Sequence, residues 1–142
     1  MPLNFISVGM LLFASSGVPG LFMSRRSRAG QRVSVFLTSL GAVIGLFGAF
    51  NGLSGGVVTI LPFPWPSVGN SFIGLDALSA FFLVPIFLIG GLGSIYGLGY
   101  WSAREKPRSG HTVRAFWGTI IAGMALLVMA RHAMALLFGW ET

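Results

Sequence analysis

Only three acids occur in the 142 residues, Asp76, Glu105 and Glu141, and their surroundings differ. Glu105 lies among Arg104, Lys106 and Arg108, where charge meets charge. Asp76 stands at the head of a long apolar run, and Glu141 follows the apolar stretch Ala133 to Trp140. Glu141 comes ten residues after Arg131. In a helix that separation is roughly 15 Å, about half of a hydrocarbon core ~30 Å thick. A charge at such depth costs on the order of a few kcal/mol unless it is paired or hydrated, so it marks a functional site by default. The chemistry that suits it is proton handling, because burial favours a neutral carboxyl and a nearby cation favours the charged form. The competing reading is an acid near the chain end that stays in water because its segment does not insert. Composition does not decide between the two. Arg114 and Arg131 fall near span boundaries, where long side chains snorkel, so the four complete spans offer no midplane cation.

The other chemically capable residues carry less. His111 and His132 fall at loop edges near basic residues, which suits interfacial placement better than metal binding; His132, nearer the acid, is retained as a second proton-handling candidate. There is no cysteine, which excludes a disulfide scaffold and a Cys-ligated metal or iron–sulfur site. Neither a Walker A loop nor a G-x-G-x-x-G pattern occurs, so nothing suggests a nucleotide site. No bound cofactor is expected.

The elements that must position these residues are membrane spans. Hydrophobic residues make up 54% and charged residues 8% of the chain, against about 25% charged in ordinary globular proteins. A water-facing surface cannot be built from so few charges. Four runs are long enough to cross a bilayer, about 3–23, 33–53, 75–100 and 113–130, and a partial fifth covers 133–142. The fold class is therefore an all-α integral membrane protein with one membrane domain over 1–142. The first run has no basic residue before it and its arginines after it, the reverse of a secretory signal, so it is read as a retained span.

The net charge of +6 could suggest nucleic acid, but nearly all nine basic residues fall in two clusters between apolar runs. Arg25, Arg26, Arg28 and Arg32 separate the first two runs; Arg104, Lys106 and Arg108 separate the third and fourth. Positive-inside bias places both clusters in the cytoplasm and the N-terminus outside, and an even number of crossings makes them consistent. Membrane lipid is the expected partner, with anionic-lipid contact as a side effect of the clusters; nucleic acid is not. The uncharged outer loop, roughly 54–74, holds a strand-like Val57 to Leu61 and then Pro62, Pro64 and Pro66 alternating with Phe63 and Trp65. It is expected to form a short extended or hairpin-like element with Trp65 near the headgroups. Asp76 is expected to cap the third span, and Pro85 to kink it. Ser79 stands where a capping box would need Glu or Gln. Glycines at four-residue spacing, as in Gly41–Gly45, Gly48–Gly52 and Gly93–Gly97, suit close helix packing within the bundle in preference to a homodimer face.

Two stretches carry a family resemblance: "GLDALSAFFLVPIFLIGGLGSIYGLGYW" (Gly74–Trp101) and "MARHAMALLFGWE" (Met129–Glu141). They resemble the third span, and the junction into the fifth, of antiporter-like proton-translocating subunits. Such subunits occur in NADH:quinone oxidoreductase (complex I), Mrp antiporters and membrane hydrogenases of the formate hydrogenlyase type, and the third span leans towards the hydrogenase branch. The resemblance implies an external N-terminus, a small β-element in the outer loop, and a fifth-span Glu that pairs with a Lys on the seventh span to move protons. By motif Glu141 takes the Glu position, Trp140 its aromatic neighbour, and Asp76 the acidic position opening the third span, with a structural role. Such subunits have about fourteen spans and work with other membrane and peripheral subunits in the inner (cytoplasmic) membrane, where the redox cofactors belong to partners. This chain resembles the first third only. The Lys-bearing spans are expected on a missing C-terminal part or another polypeptide, and the chain alone is not expected to pump or to catalyse. Two other functions compete: a small homodimeric proton-coupled cation or multidrug exporter, and a non-catalytic membrane scaffold or assembly subunit.

Overall fold

The computed structural model describes residues 2–19, 28–55, 59–65, 69–101 and 110–141. Within them the order is α1 (Pro2–Ser15), α2 (Arg28–Gly55), β1 (Thr59–Trp65), β2 (Gly69–Leu75), α3 (Ala77–Tyr100), α4 (Gly110–Met129) and α5 (Ala133–Glu141). Three helices, α2, α3 and α4, are long and apolar enough to cross a membrane. The described α1 has 14 residues, about 21 Å, which is short of a 30 Å core. The remainder of the first expected span, residues 20–23, lies outside the described residues, as do Arg25, Arg26 and the cluster 102–109.

The bundle is apolar on its outside. Phe36, Val43, Leu78 and Tyr96 are each at least 66% exposed, whereas Ser16, Gln31, Ser34, Thr38, Ser79 and Ser94 are buried. In water that distribution would be unstable; in lipid it is the natural one, since the helix exterior meets hydrocarbon and the polar side chains are kept away from it. The buried apolar core joins Leu3, Ile6 and Phe13 of α1 to Ala42 and Ala49 of α2, Leu83 and Phe87 of α3, and Ile121 and Met129 of α4.

Glycine sets the helix spacing. A Cβ at Gly9 would lie 2.8 Å from the Gly41 carbonyl oxygen and 3.0 Å from Gly45 Cα, so α1 and α2 meet backbone to backbone. On its other flank Gly45 receives the Phe87 ring, with three ring carbons 2.8 Å from where a Cβ would be. The four-residue glycine spacing thus serves packing inside the bundle. Gly97 is an exception, with nothing within 4 Å of a Cβ placed there.

The outer segment folds back as an antiparallel pair, with Thr59 opposite Leu75 and Trp65 opposite Gly69. Pro62 and Pro64 both lie in β1. A two-stranded hairpin leaves one side of each strand unpaired, so prolines two residues apart can turn their missing donors to that same side. The described strand begins at Thr59, within the stretch expected from sequence; Val57, Val58 and Pro66 lie outside the described residues. Pro85 sits inside α3, and the helix runs on past it to Tyr100.

Candidate functional site

Asp76 is the N-cap of α3. Its backbone is extended, and its carboxylate Oδ1 accepts the Ser79 N–H at 2.7 Å, supplying a partner for one of the four free donors of the first turn. The Ala80 N–H bonds the Asp76 carbonyl at 2.9 Å, which begins the helix ladder. The second carboxylate oxygen, Oδ2, lies 2.8 Å from Arg131 Nη2. Arg131 Nη2 also donates to Ser79 Oγ at 3.0 Å, and Ser79 Oγ donates to the Val128 carbonyl at 3.0 Å. The Ser79 N–H, with Arg131 adding to it, holds the Asp76 carboxyl below its ordinary value, although its limited burial works the other way.

The same arginine is tied through its backbone. Its N–H donates to the Phe72 carbonyl at 3.0 Å, and Ala130 forms an isolated bridge with Ile73. Gly74 leaves room for the guanidinium stem, since a Cβ there would meet Arg131 Cγ at 2.8 Å. One residue therefore fastens the hairpin, the start of α3 and the break between α4 and α5. The sequence reading took Arg131 for a snorkelling boundary residue. Its pairing with Asp76 spans 55 positions of chain, and no local pattern could have shown it.

The break leads directly into α5. His132 takes the N-cap position: its carbonyl accepts the Leu136 N–H at 3.1 Å, and its Nδ1 accepts the Met134 N–H at 3.4 Å. Helix α5 then folds back along α4. A Cβ at Gly139 would lie 3.0 Å from Leu127 N and 3.2 Å from the Gly123 carbonyl oxygen, so the two backbones touch. Trp140 shares a cavity with Ile120 and Met124, and Ile120 is about 14 Å along α4 from its end at Met129. Glu141, next along, is thus level with the middle of a 20-residue helix about 30 Å long.

Glu141 and Trp140 are both exposed, Trp140 to 73%. Among the described residues no ion pair involves Glu141. His132 and Glu141 stand at opposite ends of α5, about 14 Å apart along its axis, so the structure does not bring these two candidates together. Asp76 stands with Arg131 near the start of α5, away from Glu141. Among the described residues there is no group of three or more His, Cys, Asp or Glu side chains able to hold a metal ion.

No protein-family model matches the chain. Curated relatives do. The chain is 30% identical, over 96% of its length, to NADH-quinone oxidoreductase subunit L of Rickettsia felis, of which it covers 22%. It is 29% identical to the subunit L of Rickettsia bellii over the same share. It is 30% identical over 89% of its length to hydrogenase-4 component B of Escherichia coli, of which it covers 19%. The chain thus spans about a fifth of the length of these relatives. Complex I and hydrogenase subunits match at the same identity, so the lean towards the hydrogenase branch gains nothing.

Proposed function

We propose, from the premise that this chain's homologues are antiporter-like membrane subunits of NADH-quinone oxidoreductase and of a hydrogenase, that it forms part of a redox-driven proton pump. In this reading Glu141 is a proton-carrying group of the pump. The supporting observation is the return of α5 along α4, which sets Glu141 level with the middle of a membrane-length helix on the face that α4 and α5 leave open. A carboxylate there needs a counter-charge, because an uncompensated charge in a low-dielectric interior is strongly destabilising. We assign that role to a Lys of further spans, supplied by the rest of a longer polypeptide or by another subunit. Four crossings with a fifth begun, the N-terminus outside and the hairpin at the outer surface of the inner membrane complete the arrangement.

The chain's own residues divide the work. Glu141 takes and releases a proton, alternating between a charged form paired with the lysine and a neutral form when that charge moves away. Trp140 flanks the acid and limits water there. Asp76, Ser79 and Arg131 fix where α5 begins, and hence where Glu141 ends. Electron transfer belongs to partner subunits, and this chain carries no redox cofactor.

The test is Glu141→Gln in the assembled complex, with proton uptake measured in inverted membrane vesicles under electron-donor turnover. The expected result is proton uptake reduced tenfold or more, with the subunit still present in the membrane. Undiminished uptake overturns the role of Glu141. Glu141-dependent cation/proton exchange by the isolated chain in proteoliposomes would favour a self-sufficient exporter instead.

A further inference from the structure

We propose that the cavity among the first turns of α2 and α4 and the last turns of α3 binds the phosphate of an anionic membrane lipid, with the half-buried Arg114 as its anchor. The site lies at the end of the bundle opposite the Asp76–Arg131 pair, and the proposal is independent of the role given to Glu141.

The cavity measures about 110 Å³ and is lined by Gln31, Ser34, Thr38, Ser94, Trp101 and Arg114, among others. That is room for a group the size of several waters. Most of its donors have acceptors within the protein. Thr38 Oγ1 donates to the Val35 carbonyl at 3.0 Å and Ser94 Oγ to the Gly90 carbonyl at 2.8 Å. The Gln31 amide reaches the Leu98 and Trp101 carbonyls at 3.4 Å each. Arg114 differs: its Nη1 is shut off from solvent and has no hydrogen-bond partner among the described residues. A buried charged donor without an acceptor is costly, and a native one calls for an ion, a water or a ligand that completes it. A guanidinium presents a rigid fork of N–H donors that suits an oxyanion, phosphate above all.

The surroundings say which oxyanion. A second, shallower pocket adjoins the first, sharing Gln31, and is lined by Arg28, Arg32 and Leu98. Arginines therefore lead from the surface inwards to Arg114. Tyr100 and Trp101, which also line the cavity, end α3 as aromatic residues do at headgroup level. Along α2 and α3, Phe36 and Ile95 present exposed apolar surface that an acyl chain would cover. A soluble anion would use the arginines alone; a lipid phosphate uses the arginines and the apolar wall together.

The experiment reconstitutes the full chain, with Trp65→Phe and Trp140→Phe so that only Trp101 and Trp117 report, in phosphatidylcholine vesicles. Brominated phosphatidylglycerol is compared with brominated phosphatidylcholine as a quencher. We expect the anionic lipid to associate roughly fivefold more strongly, the effect of one basic residue near an anionic surface. Arg114→Gln should abolish most of that preference, Arg114→Lys should retain part of it, and added inorganic phosphate should leave it unchanged. Equal quenching by the two lipids, an unchanged preference in Arg114→Gln, or displacement by inorganic phosphate would each overturn the lipid site. Should Arg114→Gln fail to insert, the wild-type comparison and the Arg28→Gln/Arg32→Gln variant decide: an undiminished preference in that double variant, too, counts against the site.

Discussion

Two acids here have opposite fates. Asp76 lies between a backbone N–H and a guanidinium, each of which favours the carboxylate. Its carboxyl is held low in the folded state, so the stabilisation it gives is complete above the ordinary carboxylate range near pH 4 and is lost as acid protonates it below. Asp76→Asn keeps a capping side chain but loses the ion pair. For a pair whose side chains are 31% and 34% exposed, the expected cost is small, about 0.2–1 kcal/mol. Asp76→Ala loses the cap as well, adding about 1 kcal/mol. Thermal unfolding in detergent should rank wild type above Asp76→Asn and Asp76→Ala at pH 7. The loss of stability between pH 7 and pH 3 should shrink in both variants; an unaltered acid response would show that other groups carry it. Glu141, by contrast, has no ion-pair partner among the described residues, and the pumping assay with Glu141→Gln examines it directly.

At the scale of elements, helix contact depends on absent side chains. Gly45 is pinched between α1 and the Phe87 ring, and Gly9 against the α2 backbone. Neither neighbour at Gly9 can retreat without moving a helix. Gly9→Leu should therefore disrupt the α1–α2 contact and cost several kcal/mol, in the range of the overpacking penalty of about 1–3 kcal/mol or above it. Gly97→Ala meets open space and should be neutral or slightly stabilising, since alanine favours helix by about 1 kcal/mol over glycine. Comparing the two by protease resistance in membranes checks this, and equal sensitivity would contradict the packing account. The sequence showed that these glycines were spaced for close approach. It could not show that Gly93 receives Trp117 while Gly97, one turn on, receives nothing, because each depends on a neighbouring helix's rotation.

For the whole molecule, orientation is the open quantity that charge determines and shape does not. Because the chain has no cysteine, single cysteines report without background. A cysteine placed at Asn51, in the last turn of α2, should react with impermeant maleimide from the outside of intact cells. A cysteine at Arg28 should react only after permeabilisation. The reverse pattern would invert the proposed topology, and with it the side from which the proposed mechanism has protons reach Glu141.

The sequence by itself determined the apolar character of the chain, the three helices α2, α3 and α4 long and apolar enough to cross a membrane, the cap at Asp76 and the similarity to antiporter-like subunits. These follow from composition, from run length and from residues close together along the chain, where local physics acts. Only the tertiary structure decided that Arg131 closes on Asp76 and Ser79, that α5 returns along α4 at Gly139, and that Arg114 is left with a buried, unanswered donor. Each of these is a meeting of groups distant in sequence or a void between helices. A period of 3.6 residues tells which face of a helix is apolar, but not which partner, at what rotation, will lie against it.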